Sequence, residues 1–299
     1  MISVETLYQP ERMITFPEIS RRVHVPVDPA EMILNIGPCR SGSTLTLRIF
    51  AAGARMPDNQ PIPTYYQPFK AILRWFIQGQ EGEGSQFYIP GRSQKPMIYL
   101  KETIGPYTAL ESTFNPLDVL LPTGYPPDKL RLVFMMRNSL DTFASWVKKW
   151  GDRVRHEKLL ENFITAFYTV EAIRWQAEQL GITRVNFAYD FLGNYEAEVV
   201  VQRLFAKLGL QATAYAVRGW EELPPIDSLE SGIVFAGEPK LYEVAGLHQE
   251  VMGRGIEYHS YGEAVKGILS SVEIREIEKA GLVDIYDRFY LQSKEDLGL

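Results

Sequence analysis

The chain has 299 residues, 45% hydrophobic and 23% charged, the proportions of an ordinary globular protein with enough apolar material for a sizeable core. A net charge of -6 argues against a broad nucleic-acid-binding face, so an anionic ligand needs a local basic pocket. The one cysteine, Cys39, excludes an intrachain disulfide and suits a reducing cytosol, and no stretch has the uninterrupted apolar length of a membrane span.

Residues 1–30 are Pro-rich and irregular, which predicts a leader strapped across the surface. Glu5, Glu11 and Arg12 leave no apolar stretch for a secretory signal there. Met32-Ile33-Leu34-Asn35-Ile36 reads as a buried strand, and Leu45-Thr46-Leu47-Arg48-Ile49-Phe50 as the start of a helix. Between them lies Gly37-Pro38-Cys39-Arg40-Ser41-Gly42-Ser43-Thr44. A strand, a Gly/Ser turn and a helix start make an anion cradle, because free backbone N–H groups and the positive end of the helix dipole face one point. The turn comes close to the triphosphate loop G-x-x-x-x-G-K-[ST], but Ser43 stands at the Lys position. The loop's only cation is Arg40, on the other side of Gly42.

Residues 56–96 break this pattern. Pro57, Pro61, Pro63 and Pro68 come first, the Gly/Glu/Gln run 78–84 is flexible in composition, and Tyr65, Tyr66, Phe69, Trp75 and Phe76 lie between. Two readings stand for this insertion: a cap over a substrate, or a small aromatic satellite core. Met97-Ile98-Tyr99-Leu100 is the next strand, ending at Lys101-Glu102-Thr103. The strand 130–136 stops at Arg137, and Asn138 or Ser139 can cap a helix running to Trp150. Leu160, Phe163, Ile164, Phe167, Val170 and Ile173 repeat at helical spacing within 157–180. Residues 184–189 form a strand, 191–208 a helix closed by Gly209, and 271–291 a last helix. From about 211 to 262 the pattern weakens, as a second lid or ligand-covering loop would. Strands alternating with helices predict one α/β domain over 1–299: a P-loop-like parallel sheet flanked by helices, with cap and lid insertions. Ligands of such sheets sit at the carboxyl ends of the strands, where the notable polar residues fall.

Ser145 lies eight residues after Arg137, about two turns into the helix that Arg137 introduces, so both can reach one anion. In these parts and their order the chain resembles the sulfotransferases that use 3′-phosphoadenylyl sulfate (PAPS). The match covers about 32–210. Arg40-Ser41-Gly42-Ser43-Thr44 is similar to the family's 5′-phosphosulfate loop, and Arg137 with Ser145 to its 3′-phosphate signature, with Ser139 replacing the usual Pro. Residues 186–190, with the helix behind them, are similar to the family's Tyr-Glu-Asp strand end, which implies Tyr189 near the adenine; plain core packing is the other reading of that tyrosine. Gly237-Glu238-Pro239 is similar to a Gly-Asp-Pro turn of some bacterial members, and Arg254-Gly255 could add to the 3′-phosphate site. The Arg form of the loop and the long insertion resemble bacterial sulfotransferases, including those embedded in polyketide assembly lines, more than the animal cytosolic ones.

The resemblance implies a cytoplasmic enzyme that takes PAPS as co-substrate without a metal. Arg40 would face the bridging oxygen where charge develops, and it keeps its proton. The acceptor would be a hydroxyl of a small molecule or of a lipid-like or hydroxyacyl chain, beneath the aromatics of 65–76. The animal enzymes place a basic His after the second strand, where this chain reads Lys101-Glu102-Thr103. Glu102 is the candidate base; a salt-bridged strand end is its other reading. Lys101 can pair with the sulfate or with Glu102. Cys39 reads as a packing residue, and His24, His156, His248 and His259 as surface or structural residues, of which His248 or His259 could swing into the site. Two rivals remain: a P-loop small-molecule kinase, and a non-catalytic relative that only binds PAPS or its product.

Overall fold

A computed structural model describes residues 15–242 and 255–299. The apolar runs pair into one sheet. Its strands are β1 (Glu31–Pro38), β2 (Thr64–Tyr66), β3 (Met97–Ile104), β4 (Leu130–Met136), β5 (Thr183–Ala188) and β6 (Ile233–Phe235). They lie in the order β6-β2-β3-β1-β4-β5, and every neighbouring pair is parallel. Helices cover both faces of such a sheet, which is why β3 is buried along its whole length, its polar residues Lys101, Glu102 and Thr103 included. The long helices are α1 (Ser43–Gly53), α2 (Pro68–Ile77), α3 (Ser139–Trp150), α4 (His156–Gln179), α5 (Ala197–Lys207), α6 (Ser271–Lys279) and α7 (Leu282–Leu297).

The expected strands and helices therefore form, with four differences. The insertion 56–96 is not wholly a cap: Thr64–Tyr66 is a strand of the central sheet, paired with β3. The stretch 211–262 is not wholly a lid: Ile233–Phe235 closes the sheet's edge beside β2. Two helices are broken in two, one around Tyr195 and the other at Gly281, whose φ of 65° suits glycine. The described part of the leader is not irregular throughout. It holds a short helix, Phe16–Ser20, and a strand, Val23–His24, parallel to Phe87–Tyr88. Glu5, Glu11 and Arg12 lie outside the described residues. No helix among the described residues is long and apolar enough to cross a membrane.

The topology fixes where a ligand can enter. After β1 the chain builds β2 and β3 on one side, then returns to build β4 and β5 on the other. The crossover helices diverge there, so a crevice opens at the carboxyl end of β1. Backbones run close at that point: a Cβ on Gly37 would sit 2.1 Å from the carbonyl oxygen of Met135 on β4.

Candidate functional site

The crevice is a cavity of about 490 Å³, and its first wall is the turn between β1 and α1. Arg40 (φ 66°) and Gly42 (φ 91°) both take left-handed backbone, which folds the turn tightly into the helix. Gly42 could not be another residue without movement, since its Cβ would lie 2.4 Å from Cδ2 of Tyr189. The first amides of α1 have no intrahelical acceptor and carry the positive end of its dipole. Arg40, Gly42, Ser43 and Thr44 line the cavity. Ser41 does not: its hydroxyl donates to the Pro38 carbonyl at 2.7 Å and is fully buried, so it shapes the turn.

Arg137, Ser145 and Tyr189 line the same cavity. Arg40 Nε donates to Ser145 Oγ at 2.9 Å, joining residues 105 apart in sequence. Asn138 caps α3 by accepting from the amides of Leu140 and Asp141, which leaves Ser139 free to replace a proline at the helix start. Arg137 Nη2 donates to the His259 carbonyl at 2.6 Å and reaches Asp141 Oδ2 at 3.4 Å. Its guanidinium sits 5.0 Å from the Tyr189 ring and 5.5 Å from Tyr261, while Nε is buried without an acceptor. The Tyr189 hydroxyl accepts the His259 amide at 3.1 Å, and burial raises its pKa. Behind it, Asp190 accepts from the Asn138 amide at 3.0 Å, from the Tyr258 hydroxyl at 2.7 Å, and from the Tyr286 hydroxyl on α7.

The opposite wall comes from β2, β3 and the residues after them, and strand alternation decides who faces in. Lys101 and Thr103 line the cavity, so Glu102 between them points to the other face of the sheet. There its carboxylate accepts the Phe69 amide at 2.7 Å and the Lys70 amide at 3.2 Å, capping α2. It is 0% exposed and does not line the cavity. Burial does raise it, to a pKa of about 8 against the pull of those two amides. The expectation that Glu102 is the base thus meets the right acidity on the wrong face.

Among the described residues, Lys101 has one hydrogen-bond acceptor, Gln67 Oε1 at 3.2 Å, and its ammonium nitrogen lies 4.2 Å from the Tyr66 ring centre. Burial lowers its pKa to about 7. Gln67 holds left-handed backbone (φ 48°) at the start of α2 and also meets Thr103 Oγ1 and Glu238. Arg74 is pinned between Glu111 and Glu238, at 2.7 Å each, over the Tyr242 ring. Cys39 Sγ packs 3.2 Å from Thr103 Oγ1, with the buried Lys70 amine 3.6 Å away.

The aromatics of the insertion divide. Tyr66 lines the cavity, whereas Tyr65 packs on Phe87, Phe69 is fully buried, and Trp75 Nε1 donates to the Gly237 carbonyl. Most of that segment is therefore a satellite core. His259 serves the site by its backbone, with its side chain 73% exposed; His24 stacks on Tyr88, and His156 pairs with Glu273. His248 and Arg254 lie outside the described residues. Sequence reasoning missed Gln67, Lys70 and Arg74 as wall residues, since no local pattern marks a polar residue inside a Pro-broken insertion, and it also missed Tyr107 beyond that insertion. Among the described residues, no group of three or more His, Cys, Asp or Glu could hold a metal ion. No protein-family model matches the chain, and no curated protein matches it in sequence.

Proposed function

We propose that the protein is a sulfotransferase that moves the sulfuryl group of PAPS to a hydroxyl. The observation that carries this reading is the Arg40–Ser145 hydrogen bond, which joins the anion cradle after β1 to the helix that Arg137 introduces. Two anion-binding elements then serve one cavity, as an adenosine carrying phosphate on both its 3′ and 5′ oxygens requires. Two further observations fit such a ligand. Arg137 Nε is buried without an acceptor, and the turn at Gly42 packs tightly against Tyr189.

In this reading the turn is P-loop-like in form but built for a different anion. The amides of Ser43 and Thr44 and the α1 dipole hold the 5′-phosphosulfate, and Ser41 contributes through backbone alone. Arg40 faces the bridging oxygen and stabilises the charge that grows as the sulfuryl group departs. Arg137 and Ser145 hold the 3′-phosphate, and the Tyr189 ring flanks the base. When bound, PAPS supplies the activated sulfuryl group, so a γ-phosphate Lys at Ser43 has nothing to contact. The opposite wall carries Lys101, Gln67, Arg74 and Glu238, which suits a small polar acceptor better than a hydrocarbon chain.

Calorimetry with adenosine 3′,5′-bisphosphate tests the reading. The wild type should bind, and Arg137→Ala should bind roughly 100-fold more weakly, the size of a lost charge-assisted pair. A wild type that ignores this ligand yet turns over ATP with magnesium would overturn the sulfuryl-transfer reading in favour of a kinase. Equal binding by both proteins would remove Arg137 from the site.

A further inference from the structure

With Glu102 facing away, the cavity needs another group to take the acceptor's proton, and its titratable side chains are not equivalent. Glu238 is held by Arg74 at 2.7 Å. Lys70 is engaged by the Gly105 carbonyl, Thr103 and Glu111. The His259 ring is 73% exposed beside Glu257. Lys101 differs from all three: it is 2% exposed, lines the cavity, and forms no salt bridge with a described carboxylate. An ammonium has three N–H donors, and here one acceptor, Gln67 Oε1, meets them. A neutral amine, donating once to Gln67 and keeping its lone pair, fits that environment better than a buried cation.

We propose that the Lys101 amine is the general base of the transfer and that Gln67 is the positioning residue that orients it. The inference rests on the sulfuryl-transfer reading above. The neutral amine takes the proton of the acceptor hydroxyl. The oxygen forms its bond to sulfur as the bond from sulfur to the bridging oxygen breaks. Adenosine 3′,5′-bisphosphate leaves with that electron pair, and the ammonium returns its proton to solvent. The surrounding groups pull both ways, and the Tyr66 ring 4.2 Å from the nitrogen is one that favours the cation. Burial, together with Lys70, favours the neutral amine, whereas Cys39, Glu102 and Glu238 favour the cation; burial dominates, and the pKa settles at about 7. The Gln67 backbone, held at φ 48°, aims its amide at both Lys101 and Thr103. Such a conformation in a non-glycine residue persists where the surroundings enforce it.

Three measurements test this. Lys101→Met and Lys101→Arg should bind adenosine 3′,5′-bisphosphate within about threefold of wild type, which also shows that they fold, while losing roughly 100- to 10,000-fold in turnover. Wild-type turnover should rise with pH through about 7 and then level, and Gln67→Glu, by placing a carboxylate against the amine, should move that limb at least about one unit alkaline. NMR titration of the Lys101 Nζ, free of any acceptor, should give a midpoint near 7. Turnover by Lys101→Arg within about threefold of wild type, or an Nζ midpoint above about 9, overturns the proposal alone while nucleotide binding stands. A wild type that binds no adenosine 3′,5′-bisphosphate overturns the sulfuryl-transfer reading and this proposal with it.

Discussion

The two flanks of β1 build their halves of the cavity by different means. On the β4–β5 side, strands end and the functional residues follow at once: Arg137 directly after β4, Tyr189 directly after β5. On the β2–β3 side the strands run on into the cavity, and Tyr66, Lys101 and Thr103 are strand residues that face it. A residue after a strand end can turn wherever its loop allows. A residue within a strand has its direction set by alternation, and its neighbour is sent to the opposite face. The β4–β5 side therefore offers the cavity residues that follow strand ends, and the β2–β3 side presents a fixed row of strand side chains.

Beyond Lys101, the largest expected effect falls on the turn between β1 and α1. If Arg40 acts where charge develops, as proposed, Arg40→Ala should lower turnover by roughly 100- to 1,000-fold while affinity for adenosine 3′,5′-bisphosphate changes less than about tenfold. Steady-state kinetics set beside calorimetry separates the two, and an equal loss in both would make Arg40 a simple binding residue. Gly42→Ala comes next. The left-handed backbone at φ 91° and the 2.4 Å approach to Tyr189 should cost about 1–3 kcal/mol in urea unfolding and displace the ring. A variant as stable as wild type would mean that Tyr189 is not tied to the cradle.

Glu102→Gln sharpens the strand side, and its readout is pH. The folded pKa of Glu102, about 8, lies above its ordinary 4.5, so the native state binds the extra proton between these values. That contribution to stability is complete below about pH 4.5 and is lost as pH climbs through about 8. Lys101 runs the other way: lowered from 10.5 to about 7, it costs stability below 7, and the cost fades toward 10.5. Glu102→Gln should thus flatten the fall in melting temperature between about pH 5 and 8 and leave turnover within about threefold. A drop of about 100-fold would return Glu102 to the role of base. The smallest effect is that of Tyr189→Phe, which removes one hydrogen bond to the His259 amide and should cost about 1 kcal/mol in stability.

The same contrast governs what could be read from the residues. β4 is apolar and buried apart from the half-buried Arg131, so 130–136 and the Arg137–Ser145 spacing are visible in the sequence. β2 and β6 are three residues each, too short to show any period, and both sit in segments that read as cap and lid. The apolar run of β3 ends at Leu100, and the sequence places the strand's end at Lys101-Glu102-Thr103, but its pairing with β1 continues to Ile104 beside Pro38. That extension brings alternation to bear on Lys101, Glu102 and Thr103 and turns Lys101 and Thr103, not Glu102, toward the cavity. Buried polar strand residues carry no hydrophobic signature, and only the register shows their direction.

Asp190 ties the carboxyl end of the chain to the Arg137 and Tyr189 side of the cavity. One carboxylate joins the first residue before α3, the loop through Tyr258 and the final helix through Tyr286. The last helix is thereby part of whatever ordering a ligand imposes on that loop. Amide hydrogen exchange should register this as slower opening of Leu282–Leu297 when a nucleotide occupies the cavity, even though that helix touches no ligand itself.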